Sequence, residues 1–153
     1  MSLRKLDFYI KATSLFRVPL LFFCCPKVLA LDDKAKVKLP LNWITKNHYR
    51  SMYFGALSMG AELAVALPIL NEMFVNKRKV NFIFKDFKAE FHKRAETDVI
   101  FECPNVKELL ELISKSETQK QRITQAFNGK AYSATDPENI FMSYEISISV
   151  KPL

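Results

Sequence analysis

The chain has 153 residues, the length of one domain, and its composition (49% hydrophobic, 25% charged) is that of a globular protein. It contains only 3 glycines, which argues against glycine-rich phosphate loops and flexible linkers. The net charge of +7 favours an anionic partner, such as nucleic acid, a membrane surface or a phosphate-bearing small molecule, or else reflects a solvated basic face.

The N-terminal region predicts a helix followed by a β-hairpin. Apolar residues recur at helical spacing over residues 4–17, and Pro19 ends this amphipathic helix. Two short apolar stretches, residues 28–31 and 35–43, predict strands, and Asp32-Asp33-Lys34 between them suits a turn.

A polar connection over residues 44–52 leads to residues 53–70, which predict a helix buried on all sides. Ser58 and Glu62 are the only clearly polar side chains in this segment. Its 18 residues would suffice to cross a bilayer. Because Glu62 is central, Pro68 lies near the end and no second such segment exists, we expect a buried helix and no membrane span.

The C-terminal half predicts mainly strands. Apolar residues alternate over residues 80–91 with a change of phase at Lys85-Asp86, which indicates a β-bulge in one long strand. A short amphipathic helix is predicted over residues 106–113. Three further strands are predicted over residues 97–101, 123–132 and 140–150.

This order of elements predicts an α+β fold. One long apolar helix needs cover over most of its circumference, and a curved antiparallel sheet wrapped around it provides that cover. A cystatin-like fold also wraps a sheet around one helix, but its helix precedes most strands, whereas here two strands come first. We expect one domain overall, with an N-terminal helical segment (residues 1–26) and a sheet-and-helix body (residues 27–153) that carries the small inserted helix.

Glu62 is the first candidate for chemistry. An ionised carboxylate among Ala, Leu and Val is costly unless it has a partner, and a low-dielectric setting raises its pKa towards the range of a general base. Ser58 lies one turn earlier on the same face. The alternative is a structural Glu62 bonded to an arginine or to backbone.

The N-terminus of the same helix is the second candidate. Its free N–H groups can polarise a carbonyl, and Gly55 would let a substrate approach the backbone closely. The alternative role for Gly55 and Gly60 is close packing of the helix on the sheet. Ser58 lies in a run similar to a hydrolase nucleophile elbow, but the strand that must precede an elbow is missing here.

The cysteines and histidines predict neither a disulfide framework nor a metal site. Cys24, Cys25 and Cys103 are odd in number and form no CxxC pair, which favours a reducing, cytoplasmic location. The only histidines are His48 and His92, too few for a metal centre of the usual spacing. The sequence contains no nucleic-acid-binding motif, so the positive charge is the only feature that supports a nucleic-acid partner.

The run from Asn47 through Gly55 to Glu62 resembles the central-helix motif of PaaI-like hot-dog thioesterases, which reads roughly N-x-x-G-x-x-H-G-G-x-x-x-x-x-x-D/E. Asn47, Gly55 and Glu62 match its Asn, last Gly and acidic residue without a gap. Tyr53-Phe54 stands in place of His-Gly, and Arg50 in place of the first Gly. The strand order over about residues 27–150 also fits a hot-dog domain.

Within that family, the chain looks closest to an uncharacterised branch with an extra N-terminal helix. Leu39-Pro40-Leu41-Asn42-Trp43 and Lys85 carry this resemblance. It implies a homodimer, or a tetramer, that hydrolyses an acyl-CoA or similar thioester and needs no cofactor, the coenzyme A moiety being part of the substrate.

The resemblance also implies roles for individual residues. Glu62 would activate water or attack the thioester, the Gly55 N–H would polarise the carbonyl, and Asn47 would position the water or the carbonyl. Glu62 and Gly55 acting on one substrate would come from different protomers. The expected substrate-binding residues are Tyr53, Phe54, Ser58 and Lys85. The alternative is a hot-dog domain that binds an acyl or lipid-like ligand without turnover.

Overall fold

The computed structural model describes residues 3–153 and confirms the predicted N-terminal helix, α1 (Leu3–Arg17). A short helix α2 (Pro19–Phe23) follows at once, because Pro19 breaks the first helix yet suits the first turn of a second one. The carboxylate of Asp7 accepts a 2.9 Å hydrogen bond from the Val28 N–H and ties α1 to the first strand. Residues 1 and 2 of the predicted N-terminal segment lie outside the described residues.

The predicted hairpin forms from β1 (Lys27–Leu31) and β2 (Ala35–Leu39). The second strand ends at Leu39 rather than at Trp43, because Pro40 has no N–H to donate to a ladder. Val37 and Leu39 are fully buried beneath the central helix.

The central helix α3 (Phe54–Phe74) begins one residue later and ends four residues later than predicted. Its last turn contains Glu72, which is buried but bonded to Asn76 and Arg78, and these partners stabilise a polar extension of the helix. The helix is long and apolar enough to cross a membrane by composition, but 61% of that stretch is buried inside the protein. One stripe of α3, which includes Phe54 and Glu62, remains exposed and was not expected from the apolar composition.

The sheet has six strands in the order β1-β2-β4-β5-β6-β3, and every pair is antiparallel. Strand β3 is a 12-residue edge strand, and its predicted bulge lies between Phe84 and Asp86. The inserted helix α4 is six residues longer than the predicted 106–113. The bounds of the C-terminal elements are β3 (Val80–Phe91), β4 (Val99–Cys103), α4 (Val106–Gln119), β5 (Ile123–Ser133) and β6 (Ile140–Pro152).

The sheet wraps around α3, which packs on strands β2, β4, β5 and β6. Gly60 allows a close approach of α3 to the sheet, because the ring of Phe101 on β4 lies where a Cβ of residue 60 would be. This confirms the packing role expected for Gly60. An apolar space remains between α3 and the edge strand β3.

Candidate functional site

Glu62 lies where two cavities meet beside the exposed stripe of α3. The larger has a volume of about 330 Å³ and lies between α3, the α1–α2 corner and β3. The smaller, of about 170 Å³, extends from Glu62 towards the bulge of β3. The carboxylate therefore faces a continuous apolar space rather than a polar surface.

Side chains from four parts of the chain line these cavities: the α1–α2 corner, α3, β3 and β6. Apart from Glu62, every residue lining the larger cavity is aliphatic, aromatic or methionine. Phe84 lines both cavities, and Ser58 joins Glu62 in the smaller one. The bulge after Phe84 brings Phe87 back to the same side of the sheet, since one extra residue restores the inward direction.

The apolar surroundings of Glu62 raise the pKa of its carboxyl above the ordinary value by desolvation. Between residues 3 and 153 no hydrogen bond or ion pair to this carboxylate is found, although its side chain is exposed to solvent. The Ser58 hydroxyl donates instead to the Phe54 carbonyl, at 3.1 Å. The structure thus offers no salt bridge for a purely structural Glu62, and the group is free to take a proton.

The N-terminus of α3 presents unused backbone donors. The N–H of Met52 bonds to the Ala95 carbonyl and the N–H of Tyr53 bonds to the Thr45 carbonyl, each at 2.7 Å. The first helical N–H groups, which include that of Gly55, have no partner inside the helix. The ring of Tyr53 lies over Gly55, where a Cβ would come within 2.5 Å of it. The exposed ring of Tyr53 thus lies beside these N–H groups, and their role in binding a carbonyl stays a prediction.

Asn47 organises the loop that leads into α3. Its side-chain oxygen accepts hydrogen bonds from the N–H groups of Tyr49 (2.9 Å) and Ser51 (3.2 Å). Its amide nitrogen donates to the Ser51 hydroxyl at 3.1 Å. In this structure the side chain of Asn47 holds the loop together.

Arg50, within that loop, has a φ of 65°, in the left-handed region. This is the position at which the motif has its first glycine, and glycine adopts this conformation without steric cost. Arg50 therefore occupies a turn position that a glycine would hold without steric cost.

The two aromatic residues in place of His-Gly lie on the surface. Phe54 is 57% exposed and contacts Phe91 of β3, with ring centroids 5.7 Å apart. Tyr53 is 56% exposed. Lys85 is the extra residue at the bulge of β3 and is also exposed.

The structure brings some predicted site residues together and separates others. Glu62 and Ser58 share a cavity. Gly55 lies seven residues before Glu62, about 10 Å away along the helix axis. Asn47 lies in the preceding loop, and Lys85 lies on the edge strand.

Sequence reasoning missed the lining contributed by Phe84, Phe87 and the α1–α2 corner. The period-two pattern and the phase change at the bulge already indicated which β3 side chains point inward. No sequence pattern indicated that the α1–α2 corner lines the cavity. Within the described part of the chain, no group of three or more His, Cys, Asp or Glu side chains is placed to hold a metal ion.

Comparison with known proteins gives matches in structure only. No family model and no curated protein matches the sequence. A Chlorobaculum tepidum protein of unknown function superposes with a TM-score of 0.81 at 13% identity, over 99% of this chain and 98% of its own length. The chain has the hot-dog fold.

Two thioesterases of this fold superpose over the whole chain. One, from Haemophilus influenzae, has a TM-score of 0.69 and 12% identity, and 92% of its own length is covered. The other, a glutamine-to-alanine variant from Pseudomonas aeruginosa, has a TM-score of 0.68, 13% identity and 96% of its length covered. The hot-dog fold expected from the Asn47–Glu62 motif is therefore confirmed, and α3 is the central helix of this fold.

Proposed function

We propose that this hot-dog protein hydrolyses an acyl-CoA or a similar acyl thioester, with Glu62 as the general base. One observation carries the proposal: Glu62 is a carboxylate with no partner in residues 3–153, placed at the junction of two apolar cavities on the central helix. Desolvation raises its pKa, which suits a group that accepts a proton from water.

In the proposed reaction, Glu62 takes a proton from a water molecule as the water oxygen attacks the thioester carbonyl carbon. The carbonyl oxygen becomes an oxyanion, which the Gly55 N–H at the helix N-terminus stabilises by hydrogen bonding. The C–S bond then breaks, and the proton passes from Glu62 to the leaving thiolate. The products are a carboxylic acid and a free thiol. Asn47 acts by positioning the loop before Gly55, whose order depends on the hydrogen bonds of its side chain.

The two groups lie about 10 Å apart along one helix, so we propose that Glu62 and Gly55 of different protomers form each site in a homodimer. The edge strand β3 supports this assembly, because one of its edges pairs with β6 and the other pairs with no strand between residues 3 and 153. Ile83, Phe87 and Phe91 are exposed on this strand, and such edges are usually covered. Light scattering should give twice the mass of the chain; a monomer at micromolar concentration would contradict this assembly.

We assign the substrate contacts as follows. The exposed Tyr53 and Phe54 line the entrance beside the helix N-terminus, and Ser58 lies beside the carboxylate. Lys85, for which no ion pair is found in the described residues, meets the phosphates of coenzyme A, whereas Lys88 is bonded to Glu145 at 3.0 Å. We place the protein in the cytoplasm, where Cys24, Cys25 and Cys103 would remain free thiols.

The deciding experiment is thiol release from a panel of acyl-CoAs by the wild type and two variants. Glu62→Gln keeps the shape of the side chain but cannot accept the proton, and loss of a general base costs about 10²–10⁴-fold in rate. Glu111→Gln, at an exposed carboxylate of α4, is the matched control and should keep full activity. Equal rates for wild type and Glu62→Gln would refute the assignment.

The second candidate is a hot-dog domain that binds an acyl ligand without turnover. The specific observation in its favour is the pair Tyr53-Phe54, since the aromatic side chains occupy the surface beside Gly55. Native mass spectrometry after incubation with acyl-CoA distinguishes the two. Intact acyl-CoA retained for hours supports pure binding, and free coenzyme A with free acid supports hydrolysis.

A further inference from the structure

The larger cavity beside Glu62 has the properties of a site for a hydrocarbon chain. Its volume of about 330 Å³ is at the lower end of the range for small-molecule sites. Nine of its ten lining residues carry no charge and no hydrogen-bonding group in the side chain. The tenth, Glu62, is the only ionisable group among the described residues that line it.

The cavity runs along α3 from Met59, one turn before Glu62, to Leu70, two turns after it. Leu63, Ala66 and Leu70 follow Glu62 on the same face of the helix and line the same cavity. Eight residues separate Glu62 from Leu70, which corresponds to about 12 Å along the helix axis. Phe82 and Phe84 of β3 form the opposite wall.

A wall of four residues separates this cavity from a second one. Val18, Leu21, Leu63 and Leu70 line it and also line a separate cavity of about 240 Å³ beneath α1. These four residues therefore form the partition between the two spaces. Val18 and Leu21 come from the α1–α2 corner, which lies outside the sheet and its central helix.

We propose that the larger cavity holds a straight medium-chain acyl group of about eight to ten carbons, and that Leu21 and Val18 at the α1–α2 corner set this length limit. The length follows from the 12 Å run at about 1.3 Å per carbon, given a C–C bond near 1.5 Å. The assignment of the chain as part of a thioester rests on the proposed function; the binding of the chain itself does not.

Apolar burial predicts how affinity depends on chain length. Each methylene that leaves water contributes enough free energy to tighten binding about fourfold. Affinity should therefore rise about fourfold per carbon until the chain reaches the partition. Beyond about ten carbons it should stop rising or fall, because further methylenes would have to displace Leu21 or Val18.

The experiment measures dissociation constants of saturated fatty acids of 4 to 16 carbons by calorimetry below their micellar concentrations. The fatty acid is the reaction product, so binding can be measured whether or not the protein is a hydrolase. Leu21→Ala should open the partition towards the 240 Å³ cavity and move the limit up by two or more carbons. Val18→Ala, at a half-exposed position, is a second variant with less risk to folding. Phe16→Ala is the control, because Phe16 is 84% exposed and lines neither cavity.

The outcomes separate this inference from the proposed function. A fourfold rise per carbon with a limit near ten, shifted by Leu21→Ala or Val18→Ala but not by Phe16→Ala, supports it even if no acyl-CoA is hydrolysed. An affinity independent of chain length, or a limit that neither folded variant moves, overturns it. If acyl-CoA is still hydrolysed in that case, and hydrolysis depends on Glu62, the proposed function is supported and the inference about chain length is not.

Discussion

Gly60 of the central helix lies against the ring of Phe101 on β4, so closely that a Cβ on residue 60 would come within 2.3 Å of the ring. Phe101 is fully buried, and side chains in protein cores are closely packed, so a shift of its ring is costly. The contact sets the distance between α3 and the sheet, and through it the position of Glu62.

Gly60→Ala should therefore destabilise the protein, although alanine favours a helix by about 1 kcal/mol over glycine. We expect a net loss of about 1–3 kcal/mol in the free energy of unfolding, because overpacking displaces backbone or forces Phe101 off its rotamer. Denaturant titration measures it. Gly55→Ala is the matched control: its Cβ would meet the ring of Tyr53, which is exposed and can turn away, so stability should change little. A Gly60→Ala protein as stable as the wild type would contradict this account.

The ionised carboxylate of Glu62 should lower the free energy of unfolding at neutral pH. Its pKa is raised in the folded state by desolvation, so the folded protein binds this proton more tightly than the unfolded chain does. The protonated carboxyl contributes its full stability at a pH below the pKa that Glu62 has in the unfolded chain. This contribution is lost as the pH rises through the higher pKa that Glu62 has in the folded protein. Glu62→Gln should thus raise Tm at pH 7 and leave it unchanged at pH 4.

The rise in Tm of Glu62→Gln at pH 7 should be modest, since the side chain of Glu62 is exposed to solvent. Thermal unfolding at both pH values measures it, with Glu111→Gln as the control that should shift neither curve. An equal Tm change for Glu62→Gln at pH 4 and pH 7 would show that its charge is not the cause. A stability gain at pH 7 together with lost hydrolysis would mark Glu62 as a functional residue rather than a structural one.

The parts of the fold that depend on local pattern could be predicted from the sequence. Alternation of apolar residues gave the strands, and its change of phase gave the bulge of β3. The end of β2 was placed too late, because Leu41 continues the alternation although Pro40 interrupts the ladder.

The parts that depend on distant partners could not be predicted. The extension of α3 to Phe74 depends on Arg78, which bonds to Glu72 and to Glu117 of α4. The cavity beside Glu62 depends on the α1–α2 corner meeting β3. No short-range sequence pattern predicts the bonds of Arg78 or the contact between the α1–α2 corner and β3. The positions of Glu62 and Gly55 on one helix, in contrast, follow directly from their spacing in the sequence.

Arg50 holds a left-handed turn that glycine would hold with less strain. Its φ of 65° is unfavourable for a side chain with a Cβ, by roughly 1–2 kcal/mol. Glycine avoids this cost but loses more entropy on folding, so Arg50→Gly should stabilise the protein by about 0.5–1 kcal/mol.

Urea titration of Arg50→Gly, with Lys46→Gly as control, tests this turn. Lys46 precedes the turn, has an ordinary φ and bridges to Met52, so glycine there should destabilise. If both variants lose stability equally, the left-handed turn is not the source of the strain. Activity should be retained in Arg50→Gly, because the hydrogen bonds of Asn47 in the loop do not use the Arg50 side chain.

Glu102 of β4 should make the protein sensitive to acid. Only 5% of this residue is exposed, and its carboxylate bonds to Lys34, Lys36 and the Tyr132 hydroxyl, each at 3.1 Å. Burial alone would raise the pKa of Glu102, but the hydrogen bonds from the two lysines outweigh it and hold the pKa below the ordinary value. The Glu102 carboxylate contributes its full stability at a pH above the pKa that it has in the unfolded chain. This contribution is lost as the pH falls through the lower pKa that it has in the folded protein.

Glu102→Gln should therefore lower the free energy of unfolding by about 2 kcal/mol at pH 7, within the range for a partly buried pair that loses one partner. At pH 3 the difference should be smaller, because the stability from a carboxylate with a lowered pKa starts to be lost once pH falls below the pKa of the unfolded chain. Lys38→Gln is the control: its partner Asp98 is half exposed, so its loss should cost less than about 1 kcal/mol. Urea titration at pH 7 and pH 3 gives both values. A Glu102→Gln deficit that persists unchanged at pH 3 would mean that packing of the side chain, and not its charge, stabilises this part of the sheet.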